Sequence, residues 1–254
     1  MEKIVRVPNL PENKVSLAVV DGRIPRDIEK ALLYKKIKII KTKKIGALYN
    51  SISYHPDIMM CHIGGSDIVV ARNISEDFVY KLEDNGFNII QGKSELTNKY
   101  PLDVQYNVCI DEDCVICNEK FTDTTLIDKL VQKGKRIINV KQGYTKCSTL
   151  IVSSGVFVTS DPGIHTILIK EKKESLLISP GFIDLFDMNY GFIGGASGKI
   201  SSLELGFYGN ISLHKDANEI NEFLKKHRVK PMSLSKNKLI DLGTLIPLKE
   251  YNGI

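Results

Sequence analysis

The side chains best suited to covalent or metal chemistry in this sequence are five cysteines, Cys61, Cys109, Cys114, Cys117 and Cys147. A cysteine becomes a nucleophile or a soft metal ligand once it is deprotonated. Cys114-Val115-Ile116-Cys117 has the spacing of redox and zinc motifs, but it lies inside an apolar run rather than at a helix start. Neither a second CxxC nor closely paired histidines supply further zinc ligands, so these thiols read as core residues. Cys61 and His62 are adjacent, and adjacent residues of a strand point to opposite faces, which makes local packing the expectation. Ile63-Gly64-Gly65 and Ile193-Gly194-Gly195 can bring backbone N–H groups close to an anion. Without a Walker or dinucleotide pattern, equivalent tight turns between strands account for both copies. Tyr190, Phe192 and Ser197 stand beside the second copy as pocket candidates. No metal and no cofactor is assigned.

Composition sets the frame for these residues. The 254 residues are 43% hydrophobic and 26% charged, ordinary globular values that exclude wholesale disorder and a collagenous chain. The 35 Lys+Arg against 30 Asp+Glu give +5, without the dense basic stripe of a dedicated nucleic-acid binder. The densest charge run, Lys35 to Lys44, has two readings: a contact to RNA or ribosome phosphate, or an edge strand with lysines in water. The start of the chain lacks the apolar core of a signal peptide, and no stretch is long enough to cross a bilayer. A cytoplasmic protein with reduced thiols is expected.

The elements that must position these residues recur along the chain. Asp57 to Arg72 can be laid over Asp103 to Asn118, pairing Asp57 with Asp103, Asp67 with Asp113, and Ile68–Ala71 with Cys114–Cys117. Amphipathic helices are expected to start near 25, 75, 122, 162 and 216. Their apolar faces are Ile28, Ala31 and Leu32; Phe78, Val79 and Leu82; Leu126, Ile127, Leu130 and Val131; Ile164, Ile167 and Leu168; and Ile220, Phe223 and Leu224. Ser75 is placed as a cap, and Gly86 and Gly134 as terminators. Each helix lies between strands, such as Ser16–Val20 and Ile37–Ile40 for the first. Five like units around one axis put helices outside, sheets inside and a shared channel at the centre. The expectation is a single α/β domain over residues 1–254.

Five successive strand–helix–strand units resemble the pentein, or guanidino-group-modifying, fold, an α/β-propeller with pseudo-fivefold repeats. The segments YHPD, GYTKCST and LGTLIPL also resemble an uncharacterised clostridial-type family with this fold. The pentein resemblance implies a cysteine thiolate that attacks a guanidinium carbon, a histidine that shuttles protons, and carboxylates that hold the cation. The usual marks are an H-x-D motif and a cysteine in the last unit. Here the last segment, Asn237 to Leu248, places Gly243 near the expected nucleophile, and no cysteine follows Cys147.

A related segment, Gly143 to Val152, puts Cys147 after a glycine turn and before an apolar strand. His55-Pro56-Asp57 supplies the H-x-D spacing, and in extended backbone His55 and Asp57 share one face. The resemblance therefore implies Cys147 as nucleophile, His55 as acid/base and Asp57 as cation anchor, with Asp103, Asp241 and Tyr190 as substrate-binding residues. The implied activity is a hydrolase or transferase acting on a small cationic guanidino or amidino compound. The alternative is a noncatalytic pentein that binds a small ligand or a macromolecule such as the ribosome, as the anti-association branch does. Oligomeric state stays open.

Overall fold

The computed structural model describes residues 1–253. Strand β1 (Glu2–Ile4) precedes β2 (Val15–Val20), helix α1 (Arg26–Tyr34) and β3 (Lys38–Lys41). The one-turn helix α2 (Pro56–Met59) leads into β4 (Met60–His62), β5 (Asp67–Val70), α3 (Glu76–Asp84) and β6 (Asn88–Gln91). There follow β7 (Cys109–Ile110), β8 (Cys114–Cys117), α4 (Thr124–Gln132) and β9 (Arg136–Asn139). A second one-turn helix, α5 (Thr145–Ser148), leads into β10 (Thr149–Ser153), β11 (Val156–Thr159), α6 (Pro162–Lys170) and β12 (Glu174–Leu177). Last come β13 (Ser197–Lys199), β14 (Glu204–Phe207), α7 (Ala217–Lys226), β15 (Lys230–Ser233) and β16 (Ile246–Tyr251).

These strands make five small sheets. In four of them an antiparallel hairpin is followed by a helix that crosses to a third strand, parallel to the second. The remaining sheet has the order β1-β16-β2-β3, with β16 antiparallel to β2 and β3 parallel to it. Each crossover helix buries one i, i+4 pair completely: Ile28/Leu32, Phe78/Leu82, Leu126/Leu130, Ile164/Leu168 and Ile220/Leu224. Such pairs lie on one helix face and pack on the sheet beneath. Val79 is only half-buried and Val131 is 53% exposed, against expectation. Five residues beyond Leu126, Val131 has rotated well away from the buried stripe.

The five helices also end alike. Lys36, Gly86, Gly134, Lys172 and Arg228 all take positive φ two residues beyond their helix. In each case the next N–H reaches back to the carbonyl of the last buried leucine, Leu32, Leu82, Leu130, Leu168 or Leu224. This is the Schellman ending, which satisfies carbonyls that a helix terminus leaves free. Only two of the five positions are glycine, so three of these endings carry no sequence signal.

The Lys35 to Lys44 run lies at a sheet edge: β3 is the last strand of its sheet, and several lysines of the run pair with acids. Lys38 meets Glu2 at 3.4 Å, Lys41 meets Glu29 at 2.7 Å and Lys43 meets Asp77 at 3.5 Å. Gly64 and Gly65, both at positive φ, form the β4–β5 hairpin turn. Gly194 and Gly195 do not form an equivalent turn; they precede β13 and pack against the Cys147 segment. All five cysteines are free and buried. Among the described residues no helix is long and apolar enough to cross a membrane.

Ser75, expected to cap α3, makes no side-chain cap bond, whereas Asp123 caps α4 through Thr125 and Leu126 N–H. Its second oxygen accepts from Lys93 N, Ser94 N and the Tyr106 hydroxyl. Asp123→Ala is therefore expected to cost about 2–4 kcal/mol in chemical denaturation, since it strands buried donors as well as removing a cap. Ser75→Ala should cost under about 0.5 kcal/mol.

Candidate functional site

The segments just before β4, β7, β10 and β16 are tied together by side chains. Asp57 stands three residues before β4, while Asn107, Cys147 and Thr244 each stand two residues before β7, β10 and β16. The Asn107 amide donates to Asp57 O (2.9 Å) and Cys147 Sγ (3.0 Å). Its oxygen accepts from Lys146 N (2.8 Å) and Cys147 N (3.2 Å). The Thr244 hydroxyl donates to Asp57 Oδ2 (2.6 Å) and accepts from the Lys146 ammonium (3.2 Å). Two one-turn helices aim the key groups: Pro56 sits at the first position of α2, directly after His55, and Cys147 is the third residue of α5.

Cys147 Sγ lies 3.2 Å from Asp57 Oδ2. One nitrogen of His55, one oxygen of Asp57 and the Cys147 sulfur all fall within 4.8 Å of one another, so the structure brings the three expected residues together. Burial pushes the thiol well up, and the Asp57 and Asp241 carboxylates push it the same way; the Asn107 donor opposes them. Burial also lifts Asp57, against the Lys146 charge and the Thr244 bond. The resting sulfur is a thiol.

His55 is fully buried and stands between two carboxylates, with Nε2 3.9 Å from Asp21 Oδ2 and Nδ1 3.8 Å from Asp241 Oδ1. Neither ring nitrogen makes a hydrogen bond. Burial, reinforced by the Arg23 charge, pushes the imidazole down to about 3, so it is neutral at physiological pH. Asp241 moves the other way. Burial, then repulsion from Asp57, pushes it up to about 7, although Phe192 N and Gly243 N donate to it. The floor thus holds a thiol, a neutral imidazole and a carboxyl poised to ionise near neutrality.

This floor opens into a cavity of about 250 Å³ lined by His55, Cys147 and Asp241 below and by Tyr49, Ile52, Tyr144, Leu185, Met188, Asn189, Tyr190 and Phe192 above. Tyr190 and Phe192 line it as expected; Ser197 does not, because its hydroxyl turns back to Ile193 O at 2.7 Å. Asp57 lies behind the sulfur and faces a separate cavity of about 20 Å³ shared with His62 and Lys146. Asp103 also stands outside the lining, where its Oδ2 accepts from the hydroxyls of Tyr144 (2.6 Å) and Tyr49 (3.1 Å).

Asp103 is not the counterpart of Asp57 because the two hairpins differ in length. Met60 pairs with Val70 and Cys109 with Ile116, so β4 and β7 start 49 residues apart while β5 and β8 start 47 apart, and neither spacing is the 46 that laid Asp103 over Asp57. Asn107 and Asp21 belong to the site without any sequence motif, and Lys146 and Thr244, though within GYTKCST and LGTLIPL, are not marked there as site residues. Their common signal is a polar residue beside an apolar strand, which is too frequent to single them out.

The nitrogen, oxygen and sulfur donors of His55, Asp57 and Cys147 are of the kind zinc accepts. Asp111, Asp113 and Cys114 form a second such group, but the Lys173 ammonium sits 3.1 and 2.6 Å from its two carboxylates and neutralises them.

The fold is of the pentein type. An inosamine-phosphate amidinotransferase from Streptomyces griseus superposes with a TM-score of 0.60 over 99% of this chain and 98% of its own, at 10% identity. C. jejuni agmatine deiminase gives 0.57 over 100% and 98%, at 9% identity. An amidinotransferase of saxitoxin biosynthesis from Microseira wollei gives 0.52 over 90% and 91%, at 10% identity. The chain itself belongs to the family described as "Family of unknown function (DUF6873)", whose profile matches residues 19–246. A search of curated proteins finds no match.

Gly243, which the sequence resemblance placed near the expected nucleophile, takes φ +70°, and a Cβ there would lie 2.3 Å from His55 Cβ. The imidazole occupies the space that a side chain at 243 would need. Gly195 makes similar room for Asp241, whose Oδ1 would be 2.0 Å from an added Cβ. Gly243→Ala is expected to destabilise the protein by at least about 2 kcal/mol, through overpacking and positive φ together. Gly46→Ala, in open space, should stay within about 0.5 kcal/mol in the same melt.

Proposed function

We propose that residues 1–254 form one five-unit α/β-propeller whose central site carries out cysteine-dependent chemistry on a guanidinium or amidinium carbon. The observation that carries this reading is the convergence of Cys147, His55 and Asp241 on the floor of one pocket. Likeness to folds of amidinotransferases and deiminases supports it.

Asp241, rather than Asp57, is the cation anchor, because it lines the pocket while Asp57 lies behind the sulfur. A bound guanidinium brings positive charge beside a carboxyl and a thiol that burial holds protonated, and opposite charge favours their ionised forms. Cys147 passes its proton to His55, the thiolate attacks the central carbon, a C–N bond breaks, and the departing amine takes that proton from His55. Water or an acceptor amine attacks the resulting S-amidino intermediate and frees the thiolate. Asp57, held by the Thr244 hydroxyl, steadies the sulfur from behind.

Gly243 at the usual nucleophile position and the protonated resting thiol favour a second reading, a protein that binds the cation without turning it over. The two part on one measurement. With a panel of guanidino and amidino compounds, Cys147→Ala should lower amine or ammonia release at least about 10³-fold, and His55→Ala about 10²-fold or more. Release by the parent no faster than by Cys147→Ala removes the catalytic reading and leaves binding. Ionisation of Asp241 near pH 7 sets the pH dependence: guanidinium affinity should rise roughly tenfold between pH 6 and 8 in calorimetry. Asp241→Asn should flatten that profile.

A further inference from the structure

We infer that the pocket selects a guanidinium or amidinium whose far end is uncharged and apolar, such as an aryl or alkyl group. An amino-acid head or a second cation is disfavoured. The inference rests on the guanidino reading of the floor and extends it to the walls.

Above His55, Cys147 and Asp241, no charged side chain lines the cavity among the described residues. The walls are tyrosine, phenylalanine and aliphatic groups, with Asn189 as the one amide. Phe192 packs against both Tyr144 and Tyr190, with ring centroids 6.2 and 6.3 Å apart, and so makes a continuous aromatic wall. At the mouth Met188 and Tyr190 remain 48% and 42% exposed, an apolar rim that a ligand tail would cover.

The nearby charged groups and two of the tyrosine hydroxyls are already engaged. Arg23 forms two bonds to the Asp21 carboxylate and two to the carbonyls of Asn50 and Ser51. Its guanidinium is also sandwiched between the rings of Tyr54 and Phe186, at 4.8 and 4.7 Å. Lys146 faces the other cavity and bonds to Thr244. The hydroxyls of Tyr49 and Tyr144 are held by Asp103. Outside the mouth, Asp187 accepts from the Asn50 amide.

A ligand carboxylate drawn into these walls would lose water and gain no cationic partner, a cost that polar-group discrimination makes large. An aryl or alkyl tail loses nothing of that kind and removes apolar surface from water. At about 250 Å³ the cavity suits a single ring or short chain beyond the guanidinium.

The test is calorimetric titration of the full chain with guanidinium, benzylguanidine, agmatine and L-arginine. Benzylguanidine should bind at least about thirtyfold more tightly than L-arginine and about tenfold more tightly than agmatine. Tyr190→Ala should cost benzylguanidine about tenfold in affinity. If guanidinium binds and benzylguanidine gains nothing over it, or if agmatine or L-arginine binds best, the apolar-tail inference is overturned while the floor reading stands. If neither guanidinium nor benzylguanidine binds, both fall.

Discussion

The site depends on the side-chain amide of Asn107. One short polar group donates to the carbonyl of Asp57 and the sulfur of Cys147, and accepts from the backbone of Lys146 and Cys147. All four bonds are buried, where an unmade hydrogen bond costs the full desolvation of its partner. The amide therefore fixes the position of a thiol on one segment relative to a carboxylate on another, and neither segment can shift without stranding polar atoms. The orientation of the sulfur toward Asp57 and the floor follows from this constraint.

Electrostatics then divides the floor by position rather than by residue type. Asp57 and Asp241 are both buried carboxyls, yet one is clamped by a hydroxyl beside an ammonium and the other lies open to the cavity. His55, caught between Asp21 and Asp241, stays neutral because burial, reinforced by the Arg23 charge, outweighs the pull of Asp241. The floor holds no cationic side chain, since His55 is neutral and Lys146 faces the other cavity.

Much of the scaffold was legible in the sequence because periodicity reports burial directly. Helix starts expected near 25, 75, 122, 162 and 216 are found at 26, 76, 124, 162 and 217, with the expected buried leucines. The misses have local causes. Val131 continued an apolar run past the buried stripe, and Ser75 had the right type for a cap without making the bond. Lys36, Lys172 and Arg228 hold left-handed turns that glycine usually marks. At the site, His55, Asp57 and Cys147 could be named from spacing and resemblance. Asp103 was displaced by a hairpin of different length, and Asn107 and Thr244 acquire meaning only once the strands that follow them are placed side by side.

Strand β16 lies between β1 and β2, directly after Asp241, Gly243 and Thr244. Thr244 bonds to Asp57 across 187 positions of sequence. During synthesis the His55 turn and the Cys147 turn emerge long before the residues that complete their surroundings. Until β16 docks, the imidazole has no Gly243 to pack against and the pocket no Asp241. A partly made chain therefore carries Cys147 and His55 without Asp241 and Thr244 beside them, so the cavity floor is complete only when the first sheet is finished.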